Sequence, residues 1–199
     1  MKHTVILASG SKTRADLLRS AGVSFDVIPA KVDEAAIKAS LLSEGAKPND
    51  IVDALAEYKA LRIVGKHPSG LVIGCDQVLV CENQIYDKAT TLAEAREKLL
   101  SLRGKPHQLL SAAVIFEDGK PVWRTVGRAQ LFMREFSDEF LDGYLARGGE
   151  DLLQSVGCYF LESEGVQLFS RIQGDYFTVL GFPLLEVVAF LRTRGVIET

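Results

Sequence analysis

Histidine, cysteine and long apolar runs are all scarce in this chain, and each shortage removes a class of chemistry. The three histidines, His3, His67 and His107, fall at a terminus, in a Pro-Gly turn and at the head of a strand-like stretch. No histidine-based nucleophile or metal centre can be drawn from that scatter. Cys75, Cys81 and Cys158 are odd in number and form no C-x-x-C pair. They read as reduced packing thiols rather than a disulfide framework or a zinc site. No apolar run approaches the ~20 residues that a membrane span needs, and the N-terminus lacks a signal-peptide core, so the expectation is a soluble cytoplasmic protein with no membrane partner. The G-x-S-x-G, G-x-x-x-x-G-K-[ST] and H-E-x-x-H motifs are also missing, which removes the nucleophile elbow, the Walker phosphate loop and the zinc helix.

Basic charge is short as well. The formal net charge is −3 with a pI near 5.7, and a generic nucleic-acid binder would need a broad basic surface. A nucleic-acid polymer is therefore not an expected partner, and any polyanion must meet a local cluster of cations, which suits a small phosphorylated ligand. What the chain does have is enough apolar content, 47% of 199 residues, to bury a full core. The expectation is a single domain over 1–199, without repeats or low-complexity tracts.

Strand-like and helix-like stretches alternate, which places the chain in the α/β class. A strand is expected over 24–28. A helix following Asp33-Glu34 should run to about Leu42, and another should run from about Ile51 to Val64 after a turn at 47–50. Short apolar strand pieces are expected at 71–74 and 78–80, with Asp76-Gln77 wedged between them. A turn at 82–84 follows, and Thr91-Leu-Ala-Glu94 matches a capping box for a helix stopped by Gly104. Strands near 108–116 and 122–132 flank the hairpin signature Glu117-Asp118-Gly119-Lys120. Ser137 should cap a helix reaching Ala146, and Pro183, read as the first helical residue, should open the last helix, 184–194. The Gly-punctuated stretch 148–181 reads as irregular and is placed near the site.

The densest signal is VILASGSKTRADLLRSAG, residues 5–22. An apolar run stops at Ser9-Gly10-Ser11 and gives way to an amphipathic pattern with Lys12 and Arg14, which reads as strand, tight loop, helix. Backbone N–H groups and the positive end of the helix dipole, joined by two hydroxyls and two cations, make such a junction suited to an anion such as phosphate. A plain turn capped by Ser11 fits the same residues. Asp76 interrupts the apolar run LVIGCDQVLV, where an acid must meet water, a metal or a cation, unless it marks a bulge or strand end. Asp33 and Glu34 offer further oxygens of the kind magnesium takes, and also suit a helix N-terminus. Lys59 and Lys88 are isolated lysines that could reach phosphates.

Taken in order, ILASGSKTRADLLRSAGVSFDV, VDE, LAEYKA, VIGCDQVLV, the Lys88 position and IQGDYFTVLGFPLLEV resemble the Maf family of nucleoside triphosphate pyrophosphatases over nearly the whole chain. The resemblance implies an elongated mixed α/β sheet flanked by helices around a nucleotide cleft and a homodimeric assembly. It implies hydrolysis of nucleoside triphosphates to monophosphate and pyrophosphate with Mg²⁺ or Mn²⁺. Carried over residue by residue, it makes Asp76 the general base or metal-assisted activator of water. Ser9, Ser11 and Arg14 become the phosphate loop, Lys59 and Lys88 the neutralisers of the triphosphate, and Glu34 with Asp76 the metal side. Phosphoryl chemistry needs positioning and charge stabilisation more than a covalent nucleophile, so the residues and the resemblance agree.

Two departures bear on substrate choice. Many family members carry S-P-R-R where this chain has Ser11-Lys12-Thr13-Arg14, so a planar cation is missing at Thr13. Gln77 follows Asp76 where the pyrimidine-preferring branch has Thr, and Glu162 stands where that branch has Gln. Both features resemble the branch that prefers 7-methyl-GTP, and a carboxylate suits the N–H and amino edge of guanine. The lysine or cysteine common around Gln154-Ser155 is replaced. The expectation is a house-cleaning pyrophosphatase acting on 7-methyl-GTP. The alternatives are a dTTP or UTP pyrophosphatase of the same family, or a nucleotide-sensing regulator of septum formation.

Overall fold

Val5, Ile6, Leu7 and Ala8 are consecutive apolar residues and all four are buried, the pattern of an interior parallel strand covered on both faces. They form β1 (Val5–Ala8) in a computed structural model that describes residues 4–198, so His3 lies outside the described residues. β1 pairs in parallel with β2 (Asp26–Val27) and with β3 (Leu71–Cys81), where Val5 faces Leu71 and Ala8 faces Gly74. Between β1 and β2 lies α1 (Lys12–Ser20), whose N-cap is Ser11.

Asp33 caps α2 (Glu34–Ser43), its Oδ1 accepting the Ala36 N–H at 3.0 Å. The next helix, α3 (Pro48–Val64), begins three residues before the expected start because Pro48 itself enters the first turn, where its missing N–H costs nothing. The expected break in the following strand is also corrected. β3 runs without interruption through Asp76 and Gln77, since Asp76 finds a buried cationic partner and no turn is required to bring it to water.

Two tight hairpins follow from left-handed residues. Glu82 and Asn83, at φ of 49° and 64°, join β3 to the antiparallel β4 (Gln84–Tyr86). Asp118 and Gly119, at 49° and 77°, join β5 (Pro106–Glu117) to β6 (Lys120–Met133). Positive φ at both central residues matches the twist of the flanking strands. Before β5 comes α4 (Leu92–Leu102). Thr91 accepts the Glu94 N–H at 3.1 Å, and Glu94 reaches back to the N–H of Thr90 at 2.7 Å, a capping box displaced by one residue.

After β6, Ser137 caps α5 (Asp138–Gly148), which runs two residues beyond the expected end. The stretch expected to be irregular holds two 3₁₀ turns, Gly149–Gln154 and Glu164–Leu168. It also holds a real strand, β7 (Phe169–Gln173), antiparallel to β6, and a short α6 (Tyr176–Val179). Pro183 is the N-cap of α7 (Leu184–Thr193) rather than its first helical residue.

The seven strands make a mixed sheet in the order β2-β1-β3-β5-β6-β7, with β4 on β3. The chain divides into two compact units. The first comprises the described residues up to Gln77, Leu110–Gly127 and the described residues from Leu180 onward, and the second Val78–Leu109 with Arg128–Val179. Ile51, Leu55, Leu71 and Ile73 are among the fully buried side chains of the first, and Leu99, Leu102, Leu131, Leu141 and Leu168 anchor the core of the second. Cys75, Cys81 and Cys158 are free and buried, as expected of packing thiols. No helix among the described residues is long and apolar enough to cross a membrane.

Candidate active site

Strand alternation places Gly74 and Asp76 on one face of β3, and that face meets α3. A Cβ on Gly74 would overlap the Ala56 carbonyl and stand 2.7 Å from the Ala60 nitrogen and 2.9 Å from its Cβ. Only glycine lets the helix backbone come so close to the strand. Lys59, one turn beyond Ala56, is then within reach of Asp76. Its Nζ lies 2.8 Å from Asp76 Oδ1 and 2.8 Å from Glu34 Oε1.

The Lys59 and Asp76 side chains are each only 9% exposed, while Glu34 is 46% exposed. The pair is therefore sheltered and the third member meets solvent. Burial pulls the Lys59 pKa down, but the Asp76 and Glu34 carboxylates outweigh it, against opposition from Arg14, and the net position is above the ordinary lysine value. Lys59 stays an ammonium and offsets the buried Asp76 charge, which would otherwise be strongly unfavourable.

Beside this group stands the loop that ends β1. Ser11 Oγ accepts the Arg14 N–H at 3.4 Å, so its side chain serves as the helix cap, and Ser9 Oγ accepts the Ser11 N–H at 3.2 Å. Arg14 is nearly buried. Its guanidinium donates to Ser9 Oγ and to the Cys75 carbonyl, both at 3.3 Å, and to the Gly181 carbonyl at 2.8 Å. Gly181 has φ of +96°, and a Cβ there would lie 3.4 Å from Gln77 Oε1 and 3.5 Å from Arg14 Nη2. Arg14 thus ties the loop to β3 and to the turn before α7. Lys12, by contrast, is on the solvent face, paired with Asp16 at 2.6 Å. Gln77 donates from Nε2 to Ser111 Oγ at 3.1 Å.

Seven of the sequence-derived residues, Ser9, Ser11, Arg14, Glu34, Lys59, Asp76 and Gln77, therefore belong to the first unit. Lys88 and Glu162 belong to the second, and both are exposed, Lys88 just after β4 and Glu162 in the turn before the second 3₁₀ segment. Gly74, Gly181 and Ser111 were not among the expected residues. Of these only Gly74 left a signal, a glycine inside an apolar strand.

A divalent cation would draw on Asp76 and Glu34. Among the described residues no group of three His, Cys, Asp or Glu side chains is arranged to hold a metal. Magnesium takes one or two protein carboxylates and fills its remaining positions from water and substrate phosphates, so Asp76 and Glu34, joined here through Lys59, would be its protein ligands.

The Maf-like protein family matches residues 4–194. The chain is 55% identical to a protein of Caulobacter vibrioides named nucleoside triphosphate pyrophosphatase, over 96% of each chain. It is 52% identical, over the full length of both, to a protein of the same name from Ruegeria pomeroyi. A Mesorhizobium japonicum protein, 46% identical over the full length of both, is named 7-methyl-GTP pyrophosphatase.

Proposed function

This chain belongs to the Maf-like family, and on that premise we propose that Asp76 drives hydrolysis of the α–β phosphoanhydride bond of a modified purine nucleoside triphosphate, with 7-methyl-GTP the preferred substrate. Full-length relatives at about half identity make the chain a nucleoside triphosphate pyrophosphatase. The choice of base, the residue roles and a house-cleaning task that keeps modified nucleotides out of nucleic acids are the proposal.

The observation that carries it is the buried Lys59 ammonium shared by Asp76 and Glu34 at 2.8 Å each. The ion pair holds the Asp76 carboxylate at a fixed point of the fold, and a general base must be held within reach of the water it deprotonates. In the proposed step Asp76 takes a proton from the attacking water and the water oxygen bonds to the α-phosphorus. The bond to the bridging oxygen breaks, and pyrophosphate departs with that oxygen. Mg²⁺ or Mn²⁺, held by Asp76 and Glu34, would supply charge neutralisation to the phosphate oxygens. Arg14 holds the Ser9–Ser11 loop at the N-terminus of α1, whose dipole favours an anion. Lys59 keeps Asp76 in register.

Lys88 is assigned to the triphosphate and Glu162 and Gln77 to the base by their resemblance to the family pattern. The carboxylate of Glu162 would accept hydrogen bonds from the guanine N–H edge. Facing a uracil carbonyl it would meet an acceptor in place of a donor. A cytoplasmic homodimer forms part of the same reading.

Pyrophosphate release from 7-methyl-GTP, GTP, UTP, dTTP and CTP, with Mg²⁺ and with Mn²⁺, tests it. 7-Methyl-GTP should give the highest kcat/KM, and Glu162→Gln should move the ratio toward UTP and dTTP. UTP outperforming 7-methyl-GTP in the unmodified protein would overturn the base assignment while leaving the pyrophosphatase reaction standing.

A further inference from the structure

The segment carrying Lys88 is tied to the segment leading to Glu162, and the tie is a lysine outside every motif of the sequence. Lys98, half-buried on α4, donates from its ammonium to the Asp87 carbonyl and, at 3.1 Å, to the Val156 carbonyl. Asp87 immediately precedes Lys88. On the other side of Lys88, Ala89 is buried in the same core cluster as Val156 and Cys158. Asp87 is thus bridged to Val156 through Lys98, Ala89 is packed in the cluster that holds Val156 and Cys158, and all of these residues lie in the second unit.

The anchor is itself held. The Tyr144 hydroxyl donates to the Cys158 carbonyl at 3.1 Å, and His107 Nε2 and the Tyr159 hydroxyl share a hydrogen bond of 2.7 Å. Cys158 has φ of +57°, a conformation that residues with a Cβ seldom adopt, and Gly157 has no room for a side chain beneath the Tyr159 ring. Such backbone persists only where its surroundings over-determine it.

An ammonium that gives up part of its water for two main-chain carbonyls bears a desolvation penalty without charge neutralisation by those partners. Burial accordingly lowers the Lys98 pKa, only partly opposed by Cys158 and Glu94. What the arrangement achieves is a fixed backbone on either side of Lys88. A flexible lysine is a better phosphate ligand when its Cα does not have to be ordered on binding.

We propose that Lys98 is a positioning residue that fixes the main chain around Lys88 so that Lys88 meets the triphosphate. This rests on the reading of Lys88 as a phosphate ligand.

The test is a double-mutant cycle on the full chain. It uses wild type, Lys98→Met, Lys88→Ala and the double variant, measuring kcat/KM for 7-methyl-GTP, affinity for the monophosphate product, and Tm. Lys98→Met should lower kcat/KM about five- to tenfold and leave monophosphate affinity within about twofold. It should add nothing once Lys88 is alanine. Lys98→Arg should restore most of the loss. Additive losses, or an equal loss of monophosphate affinity, would overturn the proposal. If Lys88→Ala has no effect, it is the phosphate reading of Lys88 that fails, and the positioning role falls with it. Should Lys98→Met not fold, Lys98→Gln, which can still donate to one carbonyl, should show a smaller loss with the same dependence on Lys88, and independence from Lys88 would overturn the proposal.

Discussion

Replacing Lys59 with methionine keeps the length of the stem and removes the ammonium that Asp76 and Glu34 share. Glu34 is half in solvent and can rehydrate, but the Asp76 side chain is only 9% exposed and would be left as a buried charge without its close partner. Breaking a buried pair from one side costs about 3–5 kcal/mol. The Arg14 guanidinium nearby partly compensates, so the lower end, about 3 kcal/mol, is expected. For a chain of this size that corresponds to a fall in Tm of about 6–12 °C, measurable by calorimetry at pH 7. Adding Asp76→Asn to Lys59→Met removes the stranded charge and should recover much of the lost stability while activity stays absent. The sign of the pH dependence follows from the raised Lys59 pKa. The stabilisation from this pair is fully present below the ordinary lysine value and is lost as pH rises through the raised folded value. A Lys59→Met protein as stable as wild type, or a double variant less stable than Lys59→Met, would refute the view that the ammonium compensates Asp76.

Gly74→Ala should destabilise the protein by about 1–3 kcal/mol or more, since the new methyl would meet α3 backbone that cannot step aside cheaply. It should also lower kcat/KM by pushing Lys59 away from Asp76; wild-type Tm and activity would mean that α3 gives way freely. Burial pulls the His107 pKa down to about 4, so between pH 6.5 and 4 the unfolded chain takes up a proton that the folded chain refuses. By pH 5 this withdraws about 2 kcal/mol, and the fall in Tm from pH 7 to pH 5 should be steeper for wild type than for His107→Gln by about 4–8 °C. Equal slopes would contradict the burial of a neutral imidazole.

Local chemistry was what the sequence made readable. Ser11, Asp33, Thr91 and Ser137 all cap helices through their own side chains, and Asp118-Gly119 turns a hairpin, because each signal lies within a few residues of its effect. Asp76 stood out for the same reason, a lone acid in an apolar run. Its surroundings misled, since β3 does not break there. The partner that removes the need for a break lies seventeen residues earlier on another element, and no local pattern reveals an ion pair across α3 and β3. Pro48 and Pro183 were each misplaced at a helix start, because proline tolerates several positions there. Lys98 left no signal at all, since its partners are backbone carbonyls whose positions depend on the folded chain.

The central claim is that Asp76 activates the water that splits the α–β bond, and Asp76→Asn tests it most directly, because the amide keeps the shape and removes the base. Pyrophosphate release from 7-methyl-GTP should fall on the order of 100-fold or more, with nucleotide binding retained and the fold intact by calorimetry. Near wild-type turnover in a folded Asp76→Asn protein would contradict the account.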